Sequence, residues 1–134
     1  MADDPGPMLL GWVIVYVDDP PAAREFYMSA FGLQGGFAAG SDYAELDTGA
    51  TKLAFAAYTL GEQNFPGGVR PAPSEGQPPN MEIALVAEDV DGAYARALQA
   101  GCSSLAEPQD KPQGQRVAYV RDPFGTLVEL ATPL

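Results

Sequence analysis

The sequence has no histidine at any of its 134 positions. Histidine is the commonest metal ligand and the usual general base near neutral pH. Its absence excludes a two-histidine–one-carboxylate iron centre and a Ser-His-Asp triad. Cysteine occurs once, at Cys102, so no internal disulfide can form and a reducing compartment suits the chain. No run of about 18 apolar residues is present, so no membrane-spanning helix is expected. Basic residues are scarce: 7 Lys and Arg stand against 18 Asp and Glu, for a net charge of −11. Such a field repels nucleic-acid phosphates and anionic lipid, and it attracts cationic ligands as well as conferring solubility. The opening Met1-Ala2-Asp3-Asp4 is acidic where a secretory signal is basic. With the lone cysteine, this makes the cytoplasm the expected location.

What is present reads as one α+β domain over residues 1–134, with enough chain to bury a core without metal or disulfide staples. A β-rich run, Leu9 to Val17, is stopped by Asp18-Asp19-Pro20-Pro21. Asp19 as N-cap with proline in the first turn predicts a helix from Pro21 to Phe31, ended by Gly32. Strands are expected at Gln34–Ala39, Asp42–Leu46 and Thr51–Ala57. Residues 65–80, rich in proline and glycine and without periodicity, read as a linker. The order then recurs. Met81–Ala87 is a strand, Asp89 caps a helix from Val90 to Ala100, and Gly101 closes it. Strands follow at Ser103–Ala106, Gln115–Arg121 and Thr126–Ala131. Trp12–Asp19 overlays Glu82–Asp89, Gly32 matches Gly101, and Gly49 matches Gly125 at the last hairpin of each half. Two β-α-β-β-β modules, about 8–64 and 81–134, follow from this repeat alone.

Alternation assigns faces. Val13, Val15 and Val17 are expected under a helix, leaving Trp12, Ile14 and Tyr16 on an open face. Likewise Ile83 and Leu85 are covered while Glu82, Ala84 and Val86 are open. In the last strand Val128 and Leu130 are covered, and Leu127, Glu129 and Ala131 open. Leu53 and Phe55 are expected on the open face of the fourth strand. Arg116 is expected there with Ala118 and Val120, opposite a covered Val117/Tyr119 pair. A ligand would sit on the open faces.

These residues resemble the glyoxalase/bleomycin-resistance/extradiol dioxygenase (vicinal oxygen chelate) superfamily over nearly the whole chain. The resemblance is carried by Val13 to Pro20, by Ala23-Arg24-Glu25-Phe26-Tyr27 with Phe31-Gly32-Leu33, and above all by Arg121-Asp122-Pro123-Phe124-Gly125 followed by Val128-Glu129-Leu130. It implies a cupped, partly closed eight-stranded mixed sheet with the ligand pocket inside the cup, commonly completed in a homodimer. Metal-dependent members draw one ligand from the first and one from the last strand of each half. Carried over residue by residue, those places fall on Trp12, Leu53, Glu82 and Glu129. Trp12 and Leu53 cannot coordinate, and two carboxylates fall short of the three protein ligands of a catalytic zinc or iron site. No cofactor is therefore expected. A divalent metal, held by Glu82 and Glu129 with waters, is the disfavoured alternative.

The expected ligand-binding set is Trp12, Tyr16, Leu53, Phe55, Glu82, Arg116 and Glu129. Glu129 could meet a cationic or hydrogen-bonding group or act as a base; equally, it could be satisfied internally, by Arg116 for instance. Trp12 could stack on a planar or cationic ligand, or fill the space left by metal and histidine. Arg116 could orient an anionic ligand group or pair with an acid. Phe26 and Tyr27 read as core, and Cys102 as inert. The leading expectation is a metal-independent small-molecule-binding protein, similar to the bleomycin-resistance branch, that sequesters a cationic or aromatic natural product. The alternative is a glyoxalase-like lyase or isomerase, or a cofactor-free enzyme with Glu129 as base. The partners expected are a small-molecule ligand and a second copy of the chain, with no nucleic acid and no membrane.

Overall fold

The computed structural model describes residues 4–134. The acidic start over residues 1–3, on which the expected location partly rests, lies outside the described residues. Eleven elements follow in order: β1 (Trp12–Val17), α1 (Pro20–Phe31), β2 (Gln34–Ala39), β3 (Tyr43–Asp47), β4 (Lys52–Ala57), α2 (Tyr58–Asn64), β5 (Glu82–Val86), α3 (Val90–Ala100), β6 (Ser103–Asp110), β7 (Arg116–Arg121) and β8 (Leu127–Ala131). They form two four-stranded mixed sheets, ordered β1-β4-β3-β2 and β5-β8-β7-β6, with β1–β4 and β5–β8 parallel and the other pairs antiparallel. The repeat seen in the sequence is thus a repeat of topology, and the sheets do not close into a barrel. No helix among the described residues is long and apolar enough to cross a membrane.

The helix ends form where the chain chemistry dictates. Asp19 accepts from the Ala22 amide at 3.2 Å and Asp89 from the Gly92 amide at 2.9 Å, each supplying an acceptor to an otherwise orphaned N–H. Gly32 stops α1 in the left-handed region, at φ 71°, where a side chain would also crowd Arg96. One helix, α2, was not expected from the sequence. It is a short segment without a side-chain cap, and its Tyr-Thr-Leu-Gly sequence carries no periodic signal. Conversely, β6 runs four residues past its expected end, accommodating Pro108 through register shifts against β7.

One core serves both modules. Val17, Tyr27, Leu46, Leu53 and Phe55 from the first join Val90, Ala97, Val120, Val128 and Leu130 from the second. Tyr27 is the hinge pin of this packing. Its ring lies 5.0 Å from that of Phe55 and its hydroxyl donates to Asp122 of the β7–β8 turn at 2.5 Å. Phe26 meets Phe124 edge-on at 5.8 Å, and Arg96 of α3 donates to the Ser29 carbonyl of α1 at 3.0 Å. The expectation that Phe26 and Tyr27 serve the core therefore holds. With the helices and covered sheet faces drawn inward, the opposite sheet faces are left to solvent: Trp12 is 55% and Val86 72% exposed.

Candidate functional site

Register decides which side chains share an open face. In the second sheet Ala84 is aligned with Glu129, and Glu129 with Tyr119. Directly paired residues point to the same side, so Glu82, Ala84, Tyr119 and Glu129 form one surface, as the alternation in β5 and β8 implied. Glu82 and Glu129 stand within hydrogen-bonding reach of each other, and the Tyr119 hydroxyl donates to Glu129 Oε1 at 2.6 Å. Partial desolvation, and then the neighbouring Glu129, raise the Glu82 pKa above the usual carboxylate range. Tyr119 is pushed up to about 12, chiefly because its hydroxyl donates a hydrogen bond to Glu129. A tyrosine and two carboxyl groups, one of them with its pKa raised, thus stand in a row. Such a row can donate to a ligand oxygen, accept from a ligand amine, or pass a proton.

The first sheet repeats the theme with different residues. Glu45 of β3 is aligned with Ala54 of β4, and Ala54 with Ile14 of β1. The Trp12 indole N–H donates to Glu45 Oε2 at 2.8 Å and the Tyr43 hydroxyl to the same oxygen at 2.6 Å. Phe37 of β2 packs beside Tyr43 with ring centroids 6.4 Å apart. Burial and Glu45 both raise the Tyr43 pKa, so its phenol stays protonated as a donor. Neither Glu45 nor Tyr43 was singled out from the sequence. The signal existed: in Tyr43-Ala44-Glu45-Leu46-Asp47 the covered Ala44 and Leu46 alternate with polar residues.

Between the edges of β1 and β5 lies a trough. One part, of about 280 Å³, is lined by Ile14, Tyr16, Tyr58, Glu82 and Ile83 and is roofed by linker residues such as Val69. An adjoining hollow of about 590 Å³ shares Val13, Glu82 and Ile83 and continues along β5 to Val86. The linker is seated rather than loose: Arg121 donates to the Gly76 carbonyl at 2.9 Å, and Gly125 faces Ala72 and Pro73 too closely to admit a side chain. Tyr16, expected in the site, does face this trough, with its ring edge-on to Phe65 at 6.5 Å.

Three expected site residues lie elsewhere. Phe55 is fully buried against Tyr27, and Leu53 is also in the core beneath the sheet. Parallel pairing aligns Leu53 with Val13 and Phe55 with Val15, which puts both on the covered face. The residue equivalent to Glu129 is Ala54, not Leu53. Arg116 is likewise off the open face: it bonds Asp91 of α3 at 2.9 Å and Asp110 at 3.1 Å. Ala118 and Val120 are fully buried on the covered side of β7, and Tyr119 lies on the open side with Glu129. The basic residue that shares the open parity of β7 is Arg121, 4% exposed beneath the linker, with its Nε unpartnered. The structure therefore brings Glu82 and Tyr16 to the trough, keeps Glu129 beside Glu82 on the open face of the second sheet, and sets Trp12 apart with Glu45.

The places that the resemblance assigns to metal ligands are, with the register corrected, Trp12, Ala54, Glu82 and Glu129. Two of them carry no coordinating atom. Among the described residues no group of three or more His, Cys, Asp and Glu side chains could hold an ion. This donor set does not fit a zinc or iron site with three protein ligands.

Comparison with known proteins agrees with the fold. The sequence profile of the Glyoxalase/Bleomycin resistance protein/Dioxygenase superfamily matches residues 9–130. The Mycobacterium tuberculosis protein CFP32 is 29% identical over 125 residues, covering 91% of this chain and 43% of that protein. The anthracycline biosynthesis protein DnrV of Streptomyces peucetius is 30% identical over 127 residues, covering 92% of this chain and 42% of its own. The chain thus spans less than half the length of these relatives. Among solved structures, a glyoxalase-related enzyme from Fulvimarina pelagi superposes with a TM-score of 0.80 at 22% identity, covering 95% of this chain and 89% of that one. TioX from Micromonospora sp. ML1 gives 0.67 at 27% identity, covering 95% and 100%. With the repeated β-α-β-β-β topology and a profile match running from just before β1 into β8, the chain belongs to the Glyoxalase/Bleomycin resistance protein/Dioxygenase superfamily.

Proposed function

We propose that this chain is a metal-independent small-molecule-binding protein of the cytoplasm that sequesters a cationic or planar aromatic natural product. Its site is the open sheet faces with the trough between them, completed by a second copy of the chain. The observation that carries this reading is the composition of the four corrected ligand places. Trp12 and Ala54 offer stacking area and space where coordinating atoms would be needed, and Glu82 and Glu129 remain as hydrogen-bonding and charge-bearing groups. The net charge of −11 favours a cationic partner. The relative named for anthracycline biosynthesis supports a planar aromatic ligand class. Exposed Met8, Leu9, Leu10 and Ile14 form an apolar margin that a homodimer would cover.

A second reading rests on Glu82, Glu129 and Tyr119: acid–base chemistry without cofactor, with Glu129 as base and the raised Glu82 as proton donor. Calorimetric titration of chelator-treated protein with planar aromatic amines separates the two. Saturable binding without turnover, weakened in Glu129→Gln, supports the binding protein. Consumption of ligand that stops in Glu129→Gln favours the enzyme, and the absence of both removes each reading. Sedimentation of the same sample tests the dimer.

A further inference from the structure

We propose that the first sheet carries its own recognition point, an aromatic box around Glu45 that takes the protonated or quaternary amine of a ligand. This deepens the small-molecule-binding reading, since it names a residue set and a chemical group on a face otherwise assigned only as a surface.

The geometry is unusual in one respect. Two donors, the Trp12 indole N–H at 2.8 Å and the Tyr43 hydroxyl at 2.6 Å, converge on a single oxygen, Glu45 Oε2. Oε1 accepts no hydrogen bond within the described residues, and Glu45 has no ion pair there. The nearest cation on this face, Lys52, is held by Asp47 at 2.8 Å. Arg24 reaches Glu45 only through its main-chain oxygen, at 3.1 Å, from the helix-covered side. A carboxylate oriented by two neutral donors presents its remaining oxygen in a fixed direction.

The surroundings suit a cation in particular. Trp12 and Tyr43 flank the carboxylate and Phe37 packs beside Tyr43, with Trp12 55% and Phe37 63% exposed. Aromatic faces attract ammonium and guanidinium groups, most strongly for indole. Ala54 makes the arrangement possible, because Trp12 on β1 can reach Glu45 on β3 only across β4, where Ala54 is aligned with Glu45. Docking of the bare second sheet of another copy here would set Glu45 against Glu82 and Glu129, acid against acid. A cation between them removes that conflict, so charge favours a ligand amine over direct protein contact.

Trp12 is the only tryptophan, so its indole N–H gives one resonance and reports this box alone. The 134-residue chain would be titrated with 2-phenylethylammonium and, in parallel, with 2-phenylethanol, its neutral counterpart of similar shape. The expected result is a saturable shift of the indole resonance with the ammonium, about tenfold weaker binding of the alcohol, and about tenfold weaker ammonium binding in Glu45→Gln. Added salt should weaken the ammonium alone. Tyr43→Phe, which removes one of the two orienting donors, should also weaken it and serves if Glu45→Gln folds poorly. Equal response to alcohol and ammonium overturns the proposal. So does an indole signal that tracks protein concentration but ignores the amine, which would mean that a second copy covers this face. Shifts confined to Ala84 and Glu129 would overturn the Glu45 box while leaving ligand binding on the second sheet intact.

Discussion

Trp12 donates its indole hydrogen to Glu45 across an intervening strand, and Ala54 on that strand leaves the space for it to do so. Enlarging Ala54 should break this link. Ala54→Leu is expected to push the indole off Glu45, move its N–H resonance upfield, and cost about 1–3 kcal/mol through overpacking. Urea unfolding and a single proton spectrum check both effects.

Tyr27 and Asp122 join the two modules through the core. Asp122 also accepts from the amides of Phe124 at 2.9 Å and Thr126 at 2.8 Å. Tyr27→Phe removes one donor and leaves a buried acceptor short of a partner. The expected loss is about 1–3 kcal/mol by denaturant titration. Ligand binding on the second sheet should persist, because Tyr27 touches neither open face.

The same carboxyl gives stability a pH dependence. Burial raises the Asp122 pKa above the usual aspartate value, although Tyr27, Thr126 and Phe124 pull the other way. A raised folded-state pKa means the contribution is whole below the ordinary aspartate pKa and is lost as pH rises through the folded value. Relative to Asp122→Asn, wild type should therefore lose stability from about pH 4 upward until Asp122 is ionised. Urea midpoints of both proteins across the acid-to-neutral range test this. A constant difference between them would contradict it.

The linker is pinned at Gly125, where φ is 95° and an added Cβ would stand 2.8 Å from the Pro73 carbonyl and 2.9 Å from Ala72. Gly125→Ala combines a strained backbone with a displaced linker. It should destabilise the chain by about 1–3 kcal/mol and open residues 65–80 to proteolysis. Limited digestion followed by mass spectrometry locates the cut.

The sequence made the modules, their helix ends and the faces of β1, β5 and β8 legible, because valine and isoleucine alternate there with bulky or charged residues and the repeat fixes the order. It misled at β4. Matching Gly49 to Gly125 aligns Leu53 with Glu129, but β4 starts at Lys52 and β8 at Leu127, so the first hairpin runs one residue longer after its glycine. A slip of one residue turns every side chain over. In β7 the small Ala118 lies under α3 and the large Tyr119 outside, the reverse of what size suggests. Counting back through the Asp122–Gly125 turn from Glu129 would have placed Tyr119 correctly. Arg116 drew attention as a cation, but it is spent on Asp91 and Asp110. Arg116→Ala should leave ligand affinity unchanged in the titrations above.

Metal-independent binding is tested most directly by calorimetric titration of one planar aromatic amine into protein stripped with chelator, then into the same protein supplied with Mg²⁺, Mn²⁺ or Zn²⁺. The expected result is saturable binding of equal affinity in every sample. Binding that appears only with a stoichiometric ion, or no binding in any sample, would contradict it.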